Sequence, residues 1–222
     1  MIIAIDGPSG AGKGTVARAV AAALGYRHVD SGAMYRAVAW KALRDQISLE
    51  NEDAMAALAQ RAVLDVGPAS VVIDGHDVTV AIRTPEIDRA AAATARLPKV
   101  RAALVERQRK EGERGGIVME GRDIGSVVFP NADVKIYLDA SPEERARRRA
   151  ADPSHGVSRA AAAVDVATEM AARDQSDRTR ATSPLTVPSD AIPVDTTALS
   201  IDETVDKILA IISRAQRSHS LK

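Results

Sequence analysis

The 222-residue chain carries 30 basic and 30 acidic residues, so its formal net charge at neutral pH is zero, and 45% of it is hydrophobic. A polyanion-binding domain shows a basic surplus and stacking aromatics; this chain has neither, with one tryptophan, three tyrosines and one phenylalanine, which argues against nucleic acid as a partner. The lack of cysteine excludes disulfides, thiol nucleophiles and thiolate metal sites and fits a reducing compartment.

In chain order, an apolar strand over residues 2–6 runs directly into Gly7-Pro8-Ser9-Gly10-Ala11-Gly12-Lys13-Gly14-Thr15. Neither a basic n-region nor a long apolar segment precedes it, and no run approaches membrane-spanning length, so a cytosolic chain without a membrane partner is expected. A helix follows over 16–24, then a candidate strand over 26–29 and a helix opening near Asp30-Ser31-Gly32-Ala33-Met34-Tyr35-Arg36. After helical patterning at 48–61, three short β-rich runs at 63–66, 71–73 and 78–80 are separated by Gly67-Pro68-Ala69-Ser70 and Asp74-Gly75-His76-Asp77, both good turn material. They predict a small antiparallel meander inserted between that helix and another at 85–95. Buried-strand patterns recur at 117–120, 134–138 and 191–194. Ser141-Pro142-Glu143-Glu144 predicts a helix start with Ser as N-cap, Pro in the first turn and Glu closing a capping box. A helix over 200–212 ends the pattern, and the polar tail from Ser213 reads as a solvated or frayed end. The alternation predicts one α/β domain: a parallel five-stranded sheet with helices on both faces, plus the inserted β subdomain. His28, His76, His155 and His219 show no ligand spacing and read as surface or loop residues.

The spacing G-x-x-x-x-G-K between a strand and a helix predicts a phosphate cradle: backbone N–H groups converge on a phosphate, Lys13 adds a charge, and the helix dipole points the same way. The residue after the lysine is Gly14 rather than a magnesium-binding Ser or Thr, with Thr15 one further on. Ligands of open α/β sheets sit beyond the carboxyl ends of the strands. The strand at 117–120 delivers Glu120-Gly121-Arg122-Asp123 there. Glu120 either holds magnesium through water or is a buried loop carboxylate; Arg122 and Asp123 bind a ligand or each other. Ser31 and Tyr35 share a helix face beside Arg36, in a pattern that suits a phosphate or ribose and equally suits an N-cap with a core tyrosine. Arg145, Arg148 and Arg149 lie on one side of a helix, and Arg173, Asp177 and Arg180 recur at helical spacing. With turn residues between them they resemble a lid over phosphates near 150–160, against the plain reading of solvated helix faces.

A phosphate monoester acceptor has a second pKa of about 6 and needs no general base, so the requirement is fixed positive charge with water excluded. Many arginines and one loop lysine meet it. A kinase acting on a sugar hydroxyl would want a carboxylate base, and Asp30 or Asp123 keeps that reading open. A nucleotide-dependent switch would carry a guanine-reading Asn-Lys-x-Asp stretch, which the sequence lacks.

The Gly-Lys-Gly-Thr variant resembles nucleoside monophosphate kinases. With the segment at 30–36, Gly75-His76-Asp77-Val78, Ile82-Arg83-Thr84, Glu120-Gly121-Arg122-Asp123-Ile124-Gly125, residues 173–180 and Ser183-Pro184-Leu185 in order, the chain resembles bacterial-type cytidylate kinases over nearly its whole length. The resemblance implies γ-phosphoryl transfer from ATP to CMP or dCMP with magnesium, and a monophosphate-binding region over 31–112 that includes the β insert. It implies that Gly7 to Thr15 bind ATP, that Ser31, Tyr35, Arg36, Arg101, Arg122, Asp123, Arg173, Asp177 and Arg180 surround the monophosphate, and that Lys13, Arg122, Arg173 and Arg180 act on the transferring group. Arg148 and Arg149 are lid candidates. Where similar enzymes place a serine that helps read the pyrimidine, this chain has an alanine run ending at Ala93-Thr94, leaving recognition to Arg101, Asp123 and Arg180 or to Thr94. A monomer is the default expectation.

Overall fold

The computed structural model describes residues 1–152 and 163–220. Strands β1 (Ile2–Asp6), β2 (Arg27–Asp30), β6 (Ile117–Gly121), β7 (Val134–Asp139) and β8 (Ile192–Asp195) form a five-stranded sheet in the order β2-β6-β1-β7-β8, every pairing parallel. The two apolar cores follow from strand alternation. Ile3 and Ile5 of β1 join Val118, Ile136 and Leu138 on one face, under helices α1 (Lys13–Leu24) and α8 (Ile201–Ser220). Ala4, Ile117 and Met119 face the other way, against α2 (Ser31–Arg44), α3 (Glu52–Arg61), α4 (Pro85–Thr94) and α5 (Pro98–Gly112). Helices therefore cover both faces, as expected.

The insert is a three-stranded antiparallel sheet, β3 (Leu64–Val66), β4 (Val71–Ile73) and β5 (His76–Asp77). Its last strand falls earlier than the predicted 78–80. Asp74 and Gly75 alone make the β4–β5 turn, both with positive φ (47° and 77°), so pairing resumes at His76. Asp77 then accepts from both the N–H and the hydroxyl of Thr79, which ends the strand; Val78 points into the core and Val80 out to solvent.

Other boundaries move for local reasons. The helix expected at 48–61 starts at Glu52, because the Asn51 side chain accepts the Ala54 N–H as an N-cap. Helix α5 was not among the expected elements. The tail expected to be solvated or frayed is exposed at Arg214, Gln216 and Arg217 but is helical through Ser220, with Ala215 still packed on the α8 side of the sheet. Ser141 caps α6 (Pro142–Ala151) by accepting from the Glu144 N–H at 3.2 Å, but the capping box is not reciprocal. The Ser141 N–H goes to Thr197, and the Glu144 carboxylate turns to Arg147 and Arg148. Helix α7 (Ala163–Thr179) follows. The lid expected near 150–160 lies mostly outside the described residues, as does His155.

Candidate active site

The carboxyl ends of β1, β2 and β6 open on one cleft of about 960 Å³. At its base the loop after β1 turns sharply at Gly7, whose φ is 152°; a Cβ there would lie 2.0 Å from the Leu138 carbonyl oxygen, so only glycine fits. Gly12, in the left-handed region, starts α1 without a side-chain cap, which leaves the first N–H groups of the helix facing the cleft. The Lys13 Nζ donates to the Pro8 carbonyl at 2.7 Å. Burial, reinforced by Arg122 and Arg173 and opposed by Glu120 and Asp6, pushes its pKa down to about 7.

Both polar groups of the Ser9 peptide are held from outside the loop. Asp174 on α7 accepts the Ser9 N–H at 3.1 Å, and Arg145 on α6 donates to the Ser9 carbonyl at 3.0 Å while pairing with Asp174. Asp6, at the end of β1, accepts N–H groups from Ile124 (2.8 Å) and Gly125 (2.7 Å), which begin a single π turn over Ile124–Val128 right after Arg122-Asp123. One buried carboxylate thereby joins the phosphate loop to the second polar strand end.

Asp30 is the N-cap of α2, accepting from the Ala33 N–H at 2.9 Å, and pairs with Arg36 at 2.8 Å. Ser31 donates to the Glu120 carbonyl at 2.6 Å. Tyr35 is buried yet lines the cleft, with Arg101 stacked 5.5 Å above its ring centroid. Burial and Asp123 push the phenol up to about 12, so it remains a donor. Asp123 pairs with Arg101 and faces Arg180 at 3.5 Å, and Asp177 accepts from Arg122 at 2.9 Å. Arg173 reaches Asp88 on α4 at 3.2 Å. Burial lowers the pKa of Arg173, and Arg122 adds to that; burial and Arg101 do the same for Arg180. Two buried arginines, each lowered in pKa by a neighbouring cation, mark a place for an anion. Among the described residues, the Tyr35 hydroxyl, Arg36 Nε, Arg101 Nε and Arg180 Nη2 are buried without a hydrogen-bond partner.

The cytidylate kinase family model matches residues 3–214. The chain belongs to the cytidylate kinase family. It is 50% identical over 214 residues to a cytidylate kinase of Desulfitobacterium hafniense strain Y51, covering 95% of this chain and 92% of the relative. A cytidylate kinase of Solibacter usitatus strain Ellin6076 is 48% identical over 221 residues, covering 96% and 92%. Among solved structures, a gluconokinase from Sinorhizobium meliloti 1021 aligns over 99% of this chain and 96% of its own with a TM-score of 0.53; at 17% identity this likeness shows the fold alone.

The cytidylate kinase motifs converge in space. Gly10 through Thr15, Ser31, Tyr35, Arg36, Arg101, Arg122, Asp123, Arg173, Asp177 and Arg180 all line the one cleft, as does Ser9. Two open alternatives close and two expectations are corrected. Arg122 and Asp123 do not pair with each other, because consecutive side chains diverge at a strand end and each meets a different helix. Thr94 does not line the cleft: it is fully buried and donates to the Ala90 carbonyl one turn back at 2.9 Å. Ala91, Ala92 and Ala95 present that wall instead. His28 is no surface residue; a sheet covered on both faces buries it, 3.3 Å from the Glu120 carboxylate. Arg145 is neither solvated nor lid-like but buried under the phosphate loop, whereas Arg148 and Arg149 do line the cleft. Asp88, Asp174 and Asp6 are new to the site. No motif singles them out in the sequence, and only their distant partners mark them.

Proposed function

We propose that this chain transfers the γ-phosphoryl group of ATP to CMP and dCMP, yielding ADP with CDP or dCDP. The observation that carries the reading is the cleft itself: the Tyr35 hydroxyl, Arg36 Nε, Arg101 Nε and Arg180 Nη2, buried and without a hydrogen-bond partner among the described residues, one strand end away from the phosphate loop. An unmade buried hydrogen bond costs about 1–3 kcal/mol, and a nucleoside monophosphate supplies the missing acceptors. Residues 31–112 are the monophosphate-binding region in this reading. The loop from Gly7 to Thr15 cradles ATP, and Arg101, Asp123 and Arg180 read the cytosine edge.

The acceptor phosphate is largely dianionic at neutral pH, so no base is needed. Burial alone would raise the pKa of Asp30, but Arg36 and the Ala33 N–H outweigh it and hold the group below its ordinary range, which makes it a poor proton acceptor. The chain's work is to orient two polyanions in line and cancel their repulsion. Lys13, Arg122 and Arg173 do so from fixed positions in a part of the cleft shielded from water.

The fit of magnesium is tested by the oxygens beside the loop. The buried Glu120 carboxylate lies against the first turn of α1, its Oε1 3.0 Å from where a Cβ on Gly14 would stand, and Thr15 lines the cleft. Magnesium takes most of its ligands from phosphates and water, so these two oxygens suit an ion held through its water shell. When bound, it supplies charge neutralisation at the phosphates.

Incubation with magnesium, ATP and each common monophosphate in turn, with ADP formation as readout, tests the proposal. Turnover with CMP and dCMP is expected. Equal use of UMP would overturn the reading of the base by Arg101, Asp123 and Arg180, and no acceptor-dependent ADP would overturn the whole.

A further inference from the structure

Asp88 stands in the first turn of α4, in a segment otherwise rich in alanine, and is buried. One carboxylate oxygen pairs with Arg149 at the end of α6 and the other with Arg173 on α7, 3.2 Å away. Three helices distant in sequence therefore meet on one acid.

The placement of these charges is directional. Arg149 and Arg173 line both the phosphate cleft and a second, mainly apolar cavity of about 310 Å³ between α4 and α7, while Asp88 lines only the second. The two guanidiniums thus form a wall, with their carboxylate on the side of the second cavity and the cleft, with Gly10 through Thr15, on the other. An acid in front would compete with phosphate oxygens for the same donors. An acid behind holds the guanidinium planes in one orientation, sparing side-chain entropy that each arginine otherwise loses on meeting a ligand. It also offsets the repulsion Arg173 receives from Arg122 and Arg36 without filling the anion position.

We propose that Asp88 is a positioning residue that aims Arg149 and Arg173 into the phosphoryl-transfer cleft from behind. The inference rests on the reading that Arg173 meets the transferring phosphates. A misaimed cation is felt most where charge develops, so the loss falls on kcat rather than on ground-state binding.

The test is a mutant cycle read by steady-state kinetics with ATP and CMP. Asp88→Ala is expected to lower kcat about ten- to a hundredfold, the scale of a misplacement of about 1 Å, with both KM values within about threefold of the parent. Asp88→Glu should recover most of the loss. In the Arg149→Ala/Arg173→Ala background, Asp88→Ala should change kcat less than about twofold, because the two guanidiniums it aims are gone. An equal loss in both backgrounds, or a loss that follows the drop in thermal stability across variants, would overturn the proposal in favour of a purely structural role. Wild-type kcat in Asp88→Ala beside an impaired Arg173→Ala would overturn it while sparing the site reading; an Arg173→Ala variant with full turnover would overturn the site reading itself. Should Asp88→Ala fail to fold, the nearly isosteric Asp88→Asn is read in the same cycle, with the same outcomes decisive.

Discussion

Lys13 and Pro8 are joined across the phosphate loop, the ammonium donating to the carbonyl at 2.7 Å, so the lysine spends its charge on its own loop until an anion arrives. Burial and two neighbouring arginines push its pKa down to about 7. Phosphate oxygens restore the ordinary ammonium. The free protein is therefore partly deprotonated above pH 7 and the complex is not, so ATP binding at pH 8 takes up about one proton. Calorimetric titrations in buffers of different ionisation enthalpy measure that uptake directly, and a value near zero would refute it.

Asp6 gives a pH dependence of the opposite kind from most carboxylates. Burial raises its pKa to about 6, against the two N–H groups it accepts, whereas the unfolded value is 3.8. Between these values the native state holds the extra proton, so this group's contribution makes the protein more stable as pH falls from above 6 toward 4, by about 3 kcal/mol when complete. Urea midpoints for the parent and Asp6→Asn at pH 7 and pH 5 should show the difference between the two proteins shifting toward the parent at pH 5. An unchanged difference would count against it.

Arg145 and Asp174 are paired under the Ser9 peptide and both are buried. Arg145→Met leaves a buried carboxylate uncompensated and should cost about 3–5 kcal/mol. Arg145→Met/Asp174→Leu removes both charges and should lose less than the sum of the single changes by more than about 1 kcal/mol. Chemical denaturation of the four proteins in the cycle measures this, and simple additivity would show that the pair is not coupled.

Asp30→Asn separates a helix cap from a general base. Asparagine caps a helix about as well as aspartate, and Arg36 loses only its counter-charge. Turnover of CMP at saturation should stay within about tenfold of the parent; a fall of several hundredfold in a folded variant would be the signature of a lost base.

Thr94→Val tests whether this hydroxyl reads the pyrimidine. Its Oγ1 already donates to Ala90 and faces away from the cleft, so the CMP-over-UMP preference should be unchanged, at a stability cost of about 1 kcal/mol or less. A clear loss of preference would mean that Thr94 turns toward the base during turnover.

What the chain's own order determined is whatever depends on near neighbours. The phosphate loop, the five strands of the sheet and the Asp30–Arg36 helix start were legible because glycine spacing, apolar runs and capping residues act over a few positions. The insert was legible for the same reason, and its last strand was misplaced only because a two-residue turn closed where four turn residues were available. Tertiary structure decided the electrostatics. Arg122 meets Asp177 across 55 positions, Asp123 meets Arg101 across 22, and Arg149 meets Asp88 across 61. Periodicity shows which side of its own helix an arginine occupies, but not which carboxylate a distant element brings to it. A buried charge is stable only with a partner, so that choice settles whether the same residue type braces a loop, as Arg145 does, or lines the cleft while paired with an acid on another helix, as Arg173 does.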